Sequence, residues 1–369
     1  MLRPGSEAEL ADMVRAADGP LSVRGGGTRH RPGPGVALTT GAIAGVTLYE
    51  PGALTLVARA GTPLEEVEAT LAAEGQRLPF EPMDHRAILD AGATGGVPTI
   101  GGAVAMNVSG PRRVQAGACR DSLIGVRFVD GRGDVIKNGG RVMKNVTGYD
   151  LVKLMAGSRG RLGVLTEVAF KVLPAAAAEA TLRLDGLESG PAVAAMASAL
   201  TSPFDVTGAA HDPVRRATWI RIEGLEGSVA YRAGCLTERL ASYGTATRLD
   251  GAESRATWAG IRDARAVAGE GDIWRVHVRP SRGAEVLARA GSEAGLLDWG
   301  GGLVWLRLAP GTDLRARLEG LGGHATRVTG PASGALPPEA PAVAALSEGL
   351  MRQFDPRGIL NAPALTEGV

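Results

Sequence analysis

The residues best placed to do chemistry in this chain are glycines. Three clusters stand out, at 25–27, 92–102 and 157–163. Glycine reaches positive φ at little cost, and its missing Cβ lets several backbone N–H groups close on one anion. Such a nest suits a diphosphate, whose charge is then met by fixed amide dipoles rather than by lysines. Three ordinary turns in a glycine-rich protein are the alternative, and the clusters alone leave that choice open. Two nucleotide motifs can be set aside. No lysine here follows a glycine, so a Gly-Lys-Ser/Thr phosphate loop is absent from the sequence. Gly25-Gly26-Gly27 lacks the third glycine of G-x-G-x-x-G, and Gly157, Gly160 and Gly163 lead into a strand, which argues against a Rossmann dinucleotide site.

The elements that must carry these glycines follow from pattern. Ser6 with Glu9 three residues on forms a capping box for a helix over 6–18, with Leu10, Met13 and Val14 at helical spacing. A strand at 21–23 runs straight into Arg24-Gly25-Gly26-Gly27-Thr28, and further short strands are predicted at 36–39, 46–49 and 54–58. Thr62-Pro63-Leu64-Glu65 predicts a second helix with Thr62 as cap and Pro63 at the first position, ended by Gly75. Residues 123–137 read as a hairpin around Gly131-Arg132-Gly133, and 147–173 as a helix, a glycine turn and a β-run from Val164 to Leu173. Pro174 and the alanines after it mark a boundary. A helix near 228–242, strands near 273–279 and 303–308, a proline-rich linker at 331–341 and a helix at 341–353 come after it. The alternation predicts an α+β protein.

On those elements the motifs resemble the flavin-binding domain of the vanillyl-alcohol oxidase superfamily, the PCMH-type FAD fold. Val23-Arg24-Gly25-Gly26-Gly27-Thr28 resembles its strand-to-loop pyrophosphate turn. Pro98-Thr99-Ile100-Gly101-Gly102, continuing through Asn107, Ser109 and Gly110, resembles its second loop, and Gly148 to Val164 its third signature. Phe354-Asp355-Pro356 with Asn361 is similar to the motif that ends many members. Within that superfamily, Ser109 to Arg113, residues 140–150, Ile273-Trp274-Arg275 and Asp298-Trp299-Gly300-Gly301 resemble the FAD-binding E subunit family of bacterial glycolate oxidase.

The resemblance implies a PCMH-type FAD-binding domain of two α+β subdomains at 1–174. It also implies a smaller α+β cap or substrate domain at 175–335, and a C-terminal helix and tail at 336–369 returning to the flavin. It implies FAD contacts from Arg24, Gly25, Gly26, Gly27, Thr28, Pro98, Thr99, Gly101, Gly102, Asn107, Ser109, Gly110, Gly160, Gly163, Val164 and Asn361. Some relatives tether FAD through a histidine in the first loop. Thr28 stands at that place, so non-covalent FAD is expected, and His30 reads as an ordinary loop histidine. The implied partners are a larger FAD-containing glycolate oxidase subunit, an iron–sulfur subunit and a small 2-hydroxy acid.

Oxidising a 2-hydroxy acid needs an arginine for the carboxylate, a base for the hydroxyl proton and flavin N5 for the hydride. Arg275 and His277 alternate with Trp274 and Val276 on a predicted strand and so share one face, which makes them the catalytic candidates. Trp274, Trp299 and Trp305 are candidates for the pocket wall. A cap-domain strand with its charges in solvent is the alternative. Lactate-oxidising relatives often carry an H-x-x-x-H-type metal cluster. His30, His85, His211, His277 and His324 have no such spacing, so no metal is expected. That departure keeps two other readings open: a non-catalytic docking subunit that retains flavin, and a stand-alone flavin oxidase of another alcohol or hydroxy acid.

Composition bounds the rest. Lys+Arg 40 against Asp+Glu 39 leaves no basic excess for nucleic acid. Cys119 and Cys235, far apart and outside any CxxC, form no disulfide framework, and Cys119 reads as a small core residue. The acidic start and the lack of an apolar run of about 18 residues lead to an expectation of a cytoplasmic protein, with at most peripheral membrane association through partners.

Overall fold

The computed structural model describes residues 1–29, 33–89, 95–140, 148–329 and 335–361. His30, residues 92–94 of the second glycine cluster, 141–147 of the 140–150 segment and 331–334 of the predicted linker lie outside the described residues.

The first helix, Glu7–Arg15, is capped as its sequence predicts: the Ser6 hydroxyl accepts from the Glu9 amide at 3.2 Å. It buries Leu10 and Val14 against Leu21, Leu38, Ile359 and Leu360. Strands Leu21–Arg24 and Val36–Thr39 pair in parallel beside it. The second helix, Leu64–Ala72, departs from expectation at its start, where Pro63 occupies the cap position. The Thr62 hydroxyl instead donates to the Arg59 carbonyl at 2.6 Å and accepts from the Gly45 amide at 2.9 Å. A threonine oxygen engaged by the preceding turn is not free to cap the helix that follows.

Five antiparallel strands form the central sheet of this half, in spatial order Val46–Glu50, Thr55–Arg59, Val164–Lys171, Leu123–Val129 and Val135–Gly139. The middle strand is flanked on both sides and buries Val164, Val168 and Phe170. The predicted hairpin is present, with Val129 paired to Val135.

Beyond Pro174 lies an antiparallel sheet of eight strands, wider than the first. Its order is Ala246–Asp250, Ala178–Asp185, Ala217–Gly224, Val206–Asp212, Ala294–Asp298, Leu303–Leu308, Asp272–His277 and His324–Arg327. Period-two alternation gives this sheet two working faces. Ile220, Ile222, Trp274, Val276, Val304 and Leu306 face a core shared with helices Ser189–Leu200, Glu226–Leu240 and Gly283–Ala290. Trp219, Ile273, Leu296, Leu303 and Trp305 face the other way, into one core continuous with Leu56, Phe80 and Phe170 of the first half.

Buried ion pairs cross the same junction. Arg221, 1% exposed, donates from both terminal nitrogens to the Glu81 carboxylate at 3.0 Å. Arg112 binds Glu223 at 2.8 and 2.9 Å, and Arg77 pairs with Glu223 as well. Burial alone would raise the Glu81 carboxyl, but Arg221 and Arg112 together hold it below its ordinary range.

The last helix, Pro341–Phe354, buries none of its residues fully. Its end is fixed by the Phe354 ring, 6.0 Å from that of Phe128. Arg357 then donates to the carbonyls of Gly131 and Val14, and Asn361 pairs its amide with the Leu21 carbonyl at 3.0 Å. No helix among the described residues is long and apolar enough to cross a membrane.

Removing one partner of a buried pair strands the other charge, at a cost of about 3–5 kcal/mol. Arg221→Gln should lose stability of that order in urea unfolding, and adding Glu81→Gln should recover part of it. A loss below about 1 kcal/mol would contradict the proposed weight of this pair.

Candidate active site

Where strand Leu21–Arg24 ends, the chain turns through Gly25-Gly26-Gly27 onto the backbone of residues 96–99. A Cβ on Gly26 would lie 1.7 Å from the Val97 carbonyl oxygen, and one on Gly25 2.3 Å from the Thr99 hydroxyl. On the facing wall a Cβ on Gly101 would lie 2.6 Å from the Ala60 Cβ. These contacts, rather than a glycine-rich genome, fix the residue type. The third wall is the 157–163 turn, where Gly160 has φ +71° and Arg159, a non-glycine, has φ +57°. Asn361 ties the walls together. Its Oδ1 accepts from the Val23 amide at 2.6 Å, and its Nδ2 donates to the Arg159 carbonyl at 2.8 Å.

The walls enclose about 700 Å³ of space open to solvent. Of the residues implied by the sequence, Arg24, Gly25, Gly26, Gly27, Thr28, Thr99, Gly101, Gly102, Gly160, Gly163, Val164 and Asn361 line this cleft. Pro98, Asn107, Ser109 and Gly110 stand behind it. The Pro98 carbonyl accepts from the Leu64 amide, the Asn107 Oδ1 from the Arg120 amide and the Ser109 hydroxyl from the Cys119 amide. The Gly110 carbonyl accepts from the Trp299 indole at 3.0 Å. Cys119 is fully buried, and burial raises its thiol.

Sequence reasoning missed Arg29 and Arg159, which also line the cleft. Arg29 donates from Nη1 to the Thr99 carbonyl at 3.3 Å, while its buried Nε and Nη2 have no partner among the described residues. Burial pushes it down to about 10. It stands two residues past Gly27, but in a chain so rich in arginine that position alone does not mark it. Orphaned guanidinium donors beside a glycine cradle fit an anionic diphosphate, since buried donors otherwise lose their hydration uncompensated.

The two catalytic candidates sit on strand Asp272–His277, on the sheet face turned toward the first half. Trp299 and Trp305 share their side, with the Arg275 guanidinium 5.6 and 5.8 Å from the ring centres. Trp274 does not join that wall. It points to the opposite face, under Arg315, because adjacent strand residues alternate. Arg113, also missed, lies 4.5 Å over the Trp299 ring. Among the described residues neither Arg275 nor Arg113 forms an ion pair.

The electrostatics follow from that isolation. Arg275 is pushed down to about 10, first by burial and then by Arg113 and Arg159. His277 is pushed down to about 2 by burial, then by Arg275 and His324. Its ring stacks on His324 at 4.7 Å, meets Trp299 edge-on at 5.2 Å, and leaves a buried Nε2 without a partner among the described residues. His85, lowered to about 3, responds chiefly to burial and then to both Arg29 and Arg275. The charge of the cleft and that of the tryptophan wall therefore belong to one positive region. Asp298, at its margin, is pushed up to about 7 by burial. Among the described residues no group of His, Cys, Asp and Glu could hold a metal ion.

This is the fold of the PCMH-type FAD-binding oxidoreductases. A family model described as "FAD binding domain" matches residues 1–139. A solved structure of alkyldihydroxyacetonephosphate synthase superposes with a TM-score of 0.68 over 98% of this chain and 76% of that one, at 16% identity, which is a likeness of fold. Glycolate oxidase subunit GlcE of Escherichia coli K12 is 36% identical over 350 residues, 93% of this chain and 91% of that protein. The chain belongs to the family of that subunit. A shorter stretch of 86 residues, 23% of this chain, is 42% identical to 18% of glycolate oxidase subunit GlcD of Bacillus subtilis strain 168.

Two outcomes are expected here. Gly26→Ala should lower flavin content, read from the visible spectrum of purified protein, because its Cβ cannot coexist with the Val97 carbonyl. Asp298 holds its proton more tightly folded than unfolded, so that contribution is present at low pH and fades as pH climbs from about 4 through about 7. Asp298→Asn keeps an acceptor for the Trp299 amide and does not ionise. Its Tm should gain on the wild type between about pH 5 and pH 8.5, and a pH-independent gap would mean that Asp298 does not titrate there.

Proposed function

We propose that this chain is the FAD-binding subunit of a glycolate oxidase complex and takes part in oxidising a 2-hydroxy acid to a 2-oxo acid. The observation that carries this reading is Arg275, which forms no ion pair among the described residues, half-buried on the wall that adjoins the cleft and sharing its positive field through Arg159 and His85. A guanidinium without a counter-ion, beside a neutral imidazole with a free Nε2, fits a small molecule bearing a carboxylate next to a hydroxyl.

The residues divide the work. The 24–28 turn, residues 99–102, Arg29, Gly160 and Asn361 would hold the cofactor, with Arg29 supplying donors to its diphosphate. When bound, FAD supplies a two-electron acceptor for the hydrogen on the hydroxyl-bearing carbon. Arg275 orients the substrate carboxylate. His277, neutral at physiological pH, accepts the hydroxyl proton at Nε2. A carboxylate on Arg275 offsets the charge that, after burial, most depresses that imidazole. Trp299 and Trp305 exclude water from the wall.

FAD is held non-covalently on this reading. Thr28 lies on the cleft, and no His, Cys or Tyr is among the described residues that line it. Residues 1–174 act as cofactor domain, 175–335 as cap or substrate domain, and 336–369 as the segment that returns to the cofactor. Membership in a family of oxidase subunits supports assembly with a larger FAD-containing subunit and an iron–sulfur subunit, in the cytoplasm.

The test begins with the chain purified alone. It should be yellow, and acid should release its flavin into the supernatant; flavin that stays with the precipitated protein would overturn non-covalent binding. Anaerobic glycolate should bleach the flavin. Arg275→Gln should raise the glycolate concentration needed by at least about tenfold, as expected for a lost charged hydrogen-bonding partner. Yellow protein that glycolate never bleaches would replace the substrate role by electron relay or docking, and colourless protein would remove the cofactor argument.

A further inference from the structure

The arginine that the catalytic reading leaves unused is Arg113. It lies in the short helix Arg113–Ala116 of the first half, immediately after the 98–110 segment. Its guanidinium makes no ion pair and no side-chain hydrogen bond among the described residues. It lies over the Trp299 ring, 4.5 Å from its centre. Burial lowers its ionisation, and Arg120 adds to that. Arg275, from the large sheet, lies over the same ring at 5.6 Å.

Two like charges brought to one indole, half-withdrawn from water, repel each other. After burial, Arg113 is the largest influence lowering Arg275. An aromatic face attracts a cation, but it does not cancel a second one. Elsewhere in the same junction this protein does neutralise its buried arginines: Arg221 and Arg112 are both met by carboxylates. At Trp299 neither guanidinium forms an ion pair among the described residues: Asp298 is engaged by the Trp299 amide and pushed up to about 7 by burial, and the buried Nε2 of His277 nearby has no partner among those residues. An arrangement of this kind is stable when a ligand brings the negative charge.

Trp299 is held for that task from three sides. Its backbone sits at φ +54° and donates to the Asp298 carboxylate at 2.7 Å, its indole N–H donates to the Gly110 carbonyl at 3.0 Å, and His277 packs on its edge at 5.2 Å. The indole therefore spans the two halves and sets where both guanidiniums lie.

We infer that Arg113 is a second anion-binding residue, which together with Arg275 grips the carboxylate of the 2-hydroxy acid, and that Trp299 is the positioning residue that holds the two guanidiniums to one site. The inference rests on the reading that this site takes a 2-hydroxy acid. It adds that the carboxylate is gripped from both halves of the chain, so that binding substrate also clamps the junction.

The experiment uses the full chain with FAD bound. Acetate, which has the carboxylate and no hydroxyl, is titrated by calorimetry as a probe that cannot be oxidised, and glycolate reduction is followed in parallel. Arg113→Gln should weaken acetate binding and raise the glycolate KM, each by about tenfold or more, with a smaller change in kcat and unchanged flavin content. Arg113→Lys, which keeps the charge, should recover part of the loss. Trp299→Phe should keep acetate binding within a few-fold, whereas Trp299→Leu should weaken it as much as Arg113→Gln does. If the wild type binds neither acetate nor glycolate, the substrate reading fails and this inference with it. If the wild type binds both and Arg113→Gln binds them equally well, this inference alone is overturned. If Arg113→Gln does not fold, equal acetate affinity in wild type and Trp299→Leu would overturn the positioning role.

Discussion

The geometry of the site depends on the carboxylate of Glu81. This residue sits at φ +50°, a backbone region that costs a non-glycine residue energy, and it stays there because both its oxygens are gripped by Arg221 from the large sheet. From that point the structure can be followed contact by contact. Phe80, its neighbour, accepts from the Gly110 amide; Gly110 cannot carry a side chain, since a Cβ would lie 2.3 Å from the Glu81 carbonyl. The Gly110 carbonyl receives the Trp299 indole, and Trp299 carries Arg113 and Arg275. The face of the large sheet is thus set against the glycine cleft by a buried ion pair and a hydrogen-bonded relay, with the apolar core filling in around them.

Buried charge is used in two opposite ways within one junction. In the Glu81, Glu223, Arg221, Arg112 and Arg77 group each charge meets its counter-charge inside the protein, and the result is a fixed assembly of two halves. Around the cleft and Trp299, Arg29, Arg159, Arg113 and Arg275 form no ion pair among the described residues. The first arrangement resists breaking, because either partner alone would be stranded. The second is completed by whatever anion enters. That contrast separates residues that hold the fold from residues available to ligands more sharply than burial does, since Arg221 and Arg29 are both buried.

Much of this was legible in the sequence, and the limits have physical causes. The cleft glycines could be read because a missing Cβ is a local property, visible in Val23 to Thr28 without knowing what they touch. Local rules also found the Ser6 cap, the hairpin around Gly131 and the shared face of Arg275 and His277. They failed where a side chain had two local uses, as at Thr62, whose hydroxyl serves the turn before the helix. They failed again where alternation was applied loosely, as at Trp274. Arg29, Arg113 and Arg159 escaped for a different reason. In a chain whose basic residues are almost all arginine, no single arginine stands out. What marks these three is that they form no ion pair among the described residues, and that is a property of the folded molecule.

The positive region also couples the two ligands it is suited to hold. Arg29 faces the cleft, Arg275 faces the tryptophan wall, and His85 responds to both. A diphosphate beside Arg29 removes part of the field that burdens His85, and a carboxylate on Arg275 relieves His85 and His277 in turn. Each anion lowers the electrostatic cost borne by the folded protein, and binding to the folded state alone is stabilisation by mass action. The cleft and the tryptophan wall are thus linked through His85, on which Arg29 and Arg275 both act.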